Sequence, residues 1–210
     1  MELISVLVAS AFLLIPVAMP GPASAKPGDV PIEEDGCAVQ PDAGGLVGTP
    51  SCRGDQFECK AKRFQESMRA LKCSAAAGDG EAAYMLGKMY VHGIHVDPDL
   101  DLATRFWRMA AKSGHSVAQH DFAMLLLTEG FPTTDRIEEA LYWLGTSASS
   151  GNALSAVVLG RIYEAGWYNV AQDLCLALNW YEAGELMGMP APEEHLEQIR
   201  ESGQANCAYN

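Results

Sequence analysis

The stretch AAYMLGKMY at residues 82–90 returns as AQHDFAMLL at 118–126 and as SAVVLGRIY at 155–163. A glycine stands four residues before each copy: Gly78, Gly114 and Gly151. The intervals between these glycines are 36 and 37 residues. Alanines and larger apolar residues recur in each copy at three- and four-residue spacing, which is typical of one face of an α-helix. A helix that recurs with a period of this length predicts a repeat protein.

A second helix is predicted in each copy, after a turn that contains a glycine. The turn glycines are Gly93, Gly130 and Gly166. Each second helix has an alanine and, three residues later, an aromatic residue: Ala103 and Phe106, Ala140 and Trp143, Ala177 and Trp180. The first helices have small residues in phase with one another: Gly87, Ala123 and Gly160. We expect these small residues to let helix backbones approach closely, with the aromatic residues filling the gap to the next helical pair.

One helical pair cannot bury both of its faces, so pairs must stack to form a continuous core. The sequence therefore predicts an all-α fold, a right-handed α-solenoid of about three helix-turn-helix repeats over residues 78–188. Apolar residues at helical spacing predict one more helix at 57–77, as a capping helix or half of a degenerate repeat. Residues 189–210 are expected to form a C-terminal cap and tail.

The pattern A-x-x-G-x-x-x-A-x-x-x-L-G-x-x-Y-x-x-G…A-x-x-W-Y-x-x-A-A underlies these copies and resembles the Sel-1-like repeat family, relatives of tetratricopeptide repeats. The copy from Ala76 to Ala111 matches it best, with Phe-Trp in place of Trp-Tyr. The copy from Ser150 to Glu185 also matches, whereas the middle copy has Phe122-Ala123 and Leu126 instead of L-G-x-x-Y. The resemblance implies a helical repeat fold and, as the usual function, an adaptor or regulator of protein complexes.

A cysteine-rich branch of the same family is linked to β-lactam binding or hydrolysis, which is the alternative function for this chain. That branch has cysteines in every repeat, whereas the second repeat here has none and the third has only Cys175. Serine catalysis on β-lactams needs a lysine three residues after the nucleophile, and no serine of this chain has one. K-T-G, S-D-N, G-x-S-x-G, H-E-x-x-H, P-loop and dinucleotide motifs are absent as well. We therefore expect no catalytic residues and no enzyme.

The best candidate for a metal site is the sequence His92-Gly-Ile-His95-Val-Asp97. Two imidazoles and a carboxylate on one turn have the chemistry to hold a divalent ion. The same turn corresponds to a Gly-x-Gly-Val stretch of the family, in which His95 stands at the second glycine. We expect the turn to be structural, and we expect neither a metal nor a cofactor.

An apolar run at residues 3–19 is followed by the small-residue sequence Ala-Ser-Ala at 23–25. This order is typical of a secretory signal peptide. A membrane span, the alternative, needs ~20 apolar residues, and this run is shorter and contains Pro16. We expect residues 1–25 to be removed, which leaves no stable membrane span and a periplasmic or secreted protein.

The chain is acidic, with 27 Asp and Glu against 14 Lys and Arg and a net charge of −13. Only one of these charges, Glu2, lies in the predicted signal. A protein of this charge repels phosphate backbones and anionic lipid surfaces, so we expect no nucleic-acid partner.

An even number of cysteines in an exported chain favours disulfides: Cys37, Cys52, Cys59, Cys73, Cys175 and Cys207. No C-x-x-C motif is present to favour zinc. A short helix from Glu193, after Pro190 and Pro192, would return the tail toward the start of the preceding helix, which predicts a Cys175–Cys207 bond. The four other cysteines then pair among themselves and hold residues 26–56, an irregular arm rich in Pro and Gly. Cys59 with Cys73 is the least favoured pair, because they lie ~21 Å apart along one helix.

A repeat solenoid presents its first helices on a concave surface. Positions three, seven, ten and fourteen after each glycine should face that surface: Glu81, Met85, Lys88, His92, Val117, Asp121, Met124, Thr128, Leu154, Val158, Arg161 and Ala165. Methionine and aliphatic residues stand there among isolated charges, which suits a protein or peptide partner. The predicted function is that of an exported, non-catalytic scaffold or adaptor.

Overall fold

The computed structural model describes the backbone of residues 56–201 and the side chains of 60–193, 195–197 and 199. The predicted signal peptide, residues 26–55 of the predicted arm, and residues 202–210 lie outside this range. The described part of the chain is all-helical, without strands. Its α-helices are α1 Gln56–Ala76, α2 Gly80–His92, α3 Leu100–Lys112, α4 Ser116–Thr128, α5 Thr134–Ser149, α6 Ala153–Ala165, α7 Leu174–Leu186 and α8 Glu193–Glu201, and a 3-10 helix spans Trp167–Asn169.

The helices belong to two compact units, and the boundary along the chain lies between Ser113 and Gly114. In the N-terminal unit, described for residues 56–113, α2 packs against α3 and against α1. In the C-terminal unit, described for residues 114–201, α4 pairs with α5 and α6 pairs with α7. There α5 also packs against α6, and α8 packs against α7. Each predicted repeat is therefore one antiparallel pair of helices within one unit.

The helix boundaries have local causes. Asp79 caps the start of α2, because its carboxylate accepts the backbone N–H groups of Glu81 and Ala82 at 3.0 and 3.1 Å. Asp99 and Asp173 cap the second helices α3 and α7 in the same way. The turn glycines that follow the first helices all have positive φ, the left-handed conformation that glycine adopts most readily: Gly93 at 63°, Gly130 at 65° and Gly166 at 66°.

Two of the repeats are closed by an aromatic side chain on a glycine. A Cβ atom at Gly87 would lie 2.1 Å from Cδ1 of Trp107, and one at Gly160 would lie 2.5 Å from Cε1 of Tyr181. Both contacts join the first and second helix of the same pair. These two rings, which the sequence analysis did not single out, therefore fill a gap within their own pair. Trp107 and Tyr181 each stand one position after the equivalent residues Phe106 and Trp180. Each ring packs on the first helix of its own pair.

Ring contacts reinforce this closure within pairs. Tyr90 of α2 stacks on Phe106 of α3 with ring centroids 5.7 Å apart. In the next repeat, Phe122 of α4 meets Trp143 of α5 edge-on at 6.2 Å. Phe106, Phe122 and Trp143 are all buried. The large side chains therefore bind the two helices of one repeat to each other.

The helix expected near residue 193 spans Glu193–Glu201 and covers the end of the last repeat. Its Ile199 is buried in an apolar cluster with Val157, Ala177, Tyr181 and Ala191. Leu196 packs against the same cluster from its edge. This short helix replaces the neighbour that a further repeat would supply. Along residues 56–201, no helix is both long enough and apolar enough to cross a membrane.

Candidate functional site

The name first-helix face is used here for the stripes of predicted partner-facing residues on α2, α4 and α6, each taken within its own unit. None of these twelve residues is in the core. Nine are exposed, and Asp121, Met124 and Val158 are half-buried. Four of the twelve lie in the N-terminal unit and eight in the C-terminal unit. Within each helix the spacing of four, three and four residues places the four side chains along one stripe.

Each first helix exposes one large apolar side chain of this face. The exposed fraction is 47% for Met85, 43% for Val117 and 44% for Leu154. Large apolar side chains that remain exposed on every repeat are typical of a surface that another molecule covers. The face therefore has apolar contacts to offer in both units.

Charged groups accompany these apolar side chains. The Lys88 ammonium lies over the ring of Tyr84, 5.5 Å from its centroid, a cation–π contact along α2. Glu81 lies in the first turn of the same helix and His92 in its last turn. In the C-terminal unit the charges of the face are Asp121 and Arg161. Charges of both signs, at separate positions on these helices, favour a partner surface that carries charged groups between its apolar side chains.

A buried chain of hydrogen bonds joins α4, α5 and α6, and sequence patterns did not predict it. Ser147 Oγ donates to the backbone carbonyl of Ser116 at 2.7 Å. Ser155 Oγ donates to Ser147 Oγ at 2.8 Å. Since the Ser155 proton is used in that bond, Ser155 Oγ accepts from His120 Nδ1–H, at 2.9 Å. This sequence of donors and acceptors places the proton of the His120 ring on Nδ1.

Burial sets the charge state of this histidine. Desolvation lowers the pKa of His120, and the nearby Asp121 carboxylate, which raises it, offsets only part of that effect. The ring is therefore held neutral, as a hydrogen-bond donor to Ser155. A signal was present in the sequence: the other two repeats have Ala82 and Ala118 at the position of Ser155. A single polar residue at a position where the other repeats have alanine indicates a buried hydrogen-bond partner.

A second polar cluster fastens α8 to the last repeat. Glu164 Oε2 accepts a hydrogen bond from the Tyr181 hydroxyl at 2.5 Å. Glu164 Oε1 lies 2.9 Å from Nδ1 of His195. Burial, followed by the hydrogen bond and charge of Glu164, raises the pKa of Tyr181, so the phenol keeps its proton and donates. One carboxylate thus holds side chains from α7 and α8.

The turns between first and second helices expose further apolar side chains, which helical periodicity does not predict. Directly after each turn glycine stands a large apolar residue: Ile94, Phe131 and Trp167. Their exposed fractions are 43%, 101% and 51%. The signal available from the sequence was their position directly after the turn glycine of every repeat.

The two units differ strongly in charge. Residues 56–113 contain seven Asp and Glu and nine Lys and Arg. Residues 114–201 contain 13 Asp and Glu and three Lys and Arg. The acidity of the protein within the described residues is therefore concentrated in the C-terminal unit.

The turn considered for metal binding has a structural role. His95 has φ of 60°, which matches its place at a glycine position of the repeat. Its ring lies 5.4 Å from that of Phe64 on α1. Among the residues the structure describes, no three His, Cys, Asp or Glu side chains are grouped so that they could hold a metal ion.

Two of the six cysteines have described side chains, and neither Cys73 nor Cys175 is a free thiol. Cys175 is the second residue of α7. The α1 helix runs without a break through positions 59 and 73, so ~21 Å of helix separates those two cysteines and rules out a bond between them. Cys207 and the arm cysteines lie outside the described residues, and the Cys175–Cys207 bond stays a prediction.

Solved structures provide two informative neighbours. A Sel1 repeat protein from Oxalobacter formigenes superposes with a TM-score of 0.53 and 29% sequence identity, over 65% of this chain and 98% of its own. A protective antigen of uropathogenic Escherichia coli strains, which displays an SLR fold, gives a TM-score of 0.53 and 26% identity over 65% of this chain. This chain spans only 28% of that antigen. No curated protein sequence matches the chain.

The family model of the Sel1 repeat matches three consecutive segments, residues 80–115, 116–152 and 153–188. These segments coincide with the helix pairs α2–α3, α4–α5 and α6–α7, and together they make up just over half of the chain. The predicted all-α fold of three helix-turn-helix repeats, of the α-solenoid class, is confirmed. The chain belongs to the Sel1 repeat family.

Proposed function

We propose that this protein is an exported, non-catalytic adaptor that binds a protein or peptide partner on its first-helix face. Sel1 repeat proteins generally mediate protein–protein interactions. The observation that carries the proposal for this chain is the exposure of Met85, Val117 and Leu154, one on each first helix. Each of these side chains is already about half buried, so complete burial by a partner would contribute about half of the ~1.5–3 kcal/mol of a fully exposed one.

The charged residues of the face support a partner that is only partly apolar. Charges at the edge of an apolar contact add specificity and association rate more than affinity. Lys88 and Arg161 would bind carboxylates of the partner, and Asp121 would bind a cation of the partner. The helices hold these three charged groups at fixed positions. A peptide or protein surface with apolar side chains between charges matches this arrangement.

The His120–Ser155 pair does not argue for a hydrolase. Serine catalysis requires a hydroxyl that substrate can reach and a base that removes its proton. The Ser155 side chain is completely buried and gives its proton to Ser147. His120 is the donor in this contact, so it is oriented for support between helices and not for activating Ser155.

Export rests on the apolar run at 3–19 and the small-residue sequence at 23–25. An oxidising compartment agrees with six cysteines of which the two described side chains are not free thiols. We propose a periplasmic or secreted protein in which disulfides hold the arm before α1 and the tail after α8.

The test is affinity capture from an envelope extract with the immobilised oxidised protein. Replacing Met85, Val117 and Leu154 together with serine should remove the captured partner, because the apolar anchors are lost. The matched control replaces Leu100 and Leu186 with serine, two apolar residues of similar or greater exposure that lie outside the face. The proposal is wrong if the face variant retains the partner, or if the oxidised protein hydrolyses the β-lactam nitrocefin.

A further inference from the structure

The turns of the second and third repeats each present a bulky aromatic side chain to solvent. Phe131 is fully exposed, and half of the Trp167 surface is exposed. Both lie in the C-terminal unit, in the successive helix pairs α4–α5 and α6–α7. Solvent exposure of an aromatic ring has no benefit for folding, so its presence in both turns indicates a contact with another molecule.

The turn that bears Phe131 is fixed at its base. Arg136 Nη1 donates to the backbone carbonyl of Glu129 at 3.0 Å, and Nη2 donates to that of Leu125 at 3.4 Å. These bonds tie the start of α5 to the end of α4 across the turn. The turn is therefore ordered without any contact from the Phe131 ring.

The turn that bears Trp167 is held in a costly conformation. Tyr168 and Asn169 both have positive φ, 58° and 60°, which costs ~1–2 kcal/mol per non-glycine residue, less for asparagine. Gln172 Nε2 donates to the carbonyl of Glu164 at 2.7 Å, and Asp173 N–H donates to that of Tyr163 at 2.9 Å. Backbone strain of this kind persists where a surrounding network enforces it, often at binding sites.

Carboxylates dominate the sequence around both turns. Glu129 precedes Phe131, and Asp135 and Glu138 follow it at the start of α5. The one basic residue of that stretch, Arg136, has its guanidinium on backbone carbonyls. After Arg161 the chain has no Lys or Arg before Arg200. The aromatic rings are therefore set in a unit with a strong excess of negative charge.

We propose that the turns carrying Phe131 and Trp167 form a second docking surface, for a segment of a partner protein that carries bulky apolar residues flanked by lysine or arginine. The rings supply the apolar anchors, and the carboxylates of the unit attract the cations. Arginine and lysine also stack on exposed Trp and Phe faces, which adds a cation–π contribution. The charge of the unit disfavours an acidic segment of the same apolar content.

The dimensions suit a short extended segment. Neighbouring helices pack with axes ~8–10 Å apart, so turns of successive pairs are separated by about 10–20 Å. A chain of roughly six extended residues spans that distance. One partner segment of this length can therefore contact both rings.

The probe is a short synthetic peptide in which tryptophan and leucine alternate with lysine. Its affinity for the full oxidised protein is measured by fluorescence anisotropy. A peptide with glutamate in place of lysine tests the charge, and one with serine in place of the apolar residues tests the anchors. The lysine peptide should bind at least about tenfold more tightly than either control, and added salt should weaken it because screening reduces charge attraction.

Replacing both Phe131 and Trp167 with serine should weaken the lysine peptide by about tenfold or more, since aromatic anchors dominate such contacts. Neither side chain is buried, so the fold should be retained, which circular dichroism verifies. Leu186→Ser is the matched control, because this exposed apolar residue of the same unit lies on α7. Its affinity for the peptide should equal that of the unaltered protein.

Four outcomes overturn the inference. Equal binding by the double serine variant shows that the turns are not the site. Equal binding of the glutamate peptide shows that the charge does not select the partner. Loss of binding in the Met85, Val117 and Leu154 variant places the peptide on the first-helix face, which leaves the proposed function standing. Sedimentation velocity tests whether a second copy of the chain occupies the turns instead. If the protein does not bind the peptide but self-associates, and the double serine variant abolishes that self-association, the occupant is a second copy.

Discussion

The backbone of Gly87 lies directly beneath the indole of Trp107, so closely that a Cβ atom would come within 2.1 Å of Cδ1. The repeat-equivalent pair, Gly160 and Tyr181, has the same relationship at 2.5 Å. In the middle repeat these positions hold Ala123 and Leu144. A Cβ atom is therefore present only where the second helix has no ring, so the two positions are coupled by steric fit.

Gly87→Leu should destabilise the protein much more than Lys88→Leu. Leucine at position 87 would displace the buried Trp107 ring, and overpacking of this kind costs ~1–3 kcal/mol or more. Lys88 is exposed, so leucine there should change the free energy of unfolding by less than about 0.5 kcal/mol. Urea denaturation of the two variants measures the difference. Equal midpoints would contradict the assigned phase of the repeat.

Acid should weaken the fold through His120. Its pKa is lower in the folded protein than the ordinary value of 6.5, mainly because of burial. The unfolded chain therefore binds the proton more readily than the folded one as pH falls below about 6.5. The stability associated with the neutral ring is complete above that pH and is lost as pH falls toward the lowered pKa.

The variant that tests this effect is His120→Gln, which removes the titrating group and keeps a side chain with hydrogen-bonding capacity. The loss of stability between pH ~7.5 and ~5.5 should be smaller in the variant, because glutamine does not titrate in this range and the lowered pKa of His120 no longer contributes. His115→Gln is less suitable as a reference, because His115 caps α4. His92→Gln, on the exposed end of α2, is the better control. An unchanged pH dependence in His120→Gln would show that another group is responsible.

Glu164→Gln should loosen α8 more than the rest of the protein. Glutamine has an N–H2 group in place of one carboxylate oxygen, so it can no longer accept at both of the contacts with Tyr181 and His195, at a cost of ~1–3 kcal/mol for the half-buried site. Amide hydrogen exchange should accelerate in α8 while α4 and α5 stay protected. Glu182→Gln, an exposed change on α7, serves as the control. Uniform acceleration in all helices would show that Glu164 supports the whole unit.

Cys175 is predicted to bond to Cys207. Cys175 stands at the start of α7, and α8 carries the chain past the last repeat before the tail begins. A bond there would close a loop of about 30 residues and stabilise the cap by ~3–4 kcal/mol in the chain-entropy model. Peptide mapping without reduction checks the pairing. A fragment that links Cys207 to an arm cysteine would contradict it, and so would a free thiol at either position.

The regular parts of this fold could be predicted from the sequence because their causes are local. The period of 36 and 37 residues, the helix stripes and the turn glycines appear along the chain itself. Small residues in phase also indicated where helices come close. The sequence did not indicate which ring would cover them, because Phe106 and Trp107 are adjacent and either ring could face α2.

The candidate binding site could be predicted only in part. A stripe counted from each glycine placed Met85, Val117 and Leu154 on the accessible side of their helices, where they are exposed. The exposure of Phe131 did not follow from helical periodicity, because the residue lies in a turn. Whether a turn side chain folds back or extends into solvent depends on the neighbours that the tertiary structure supplies.

The sequence by itself determined the family, the number of repeats and the helix register, because propensity, periodicity and glycine conformation act within a few residues. Only the tertiary structure decided which distant groups meet. His120, Ser147 and Ser155 are separated by 27 and 8 positions, yet they form one chain of hydrogen bonds. Glu164 and His195 are 31 positions apart and in contact. Such pairs depend on the packing of whole helices, and no local pattern in the chain specifies their geometry.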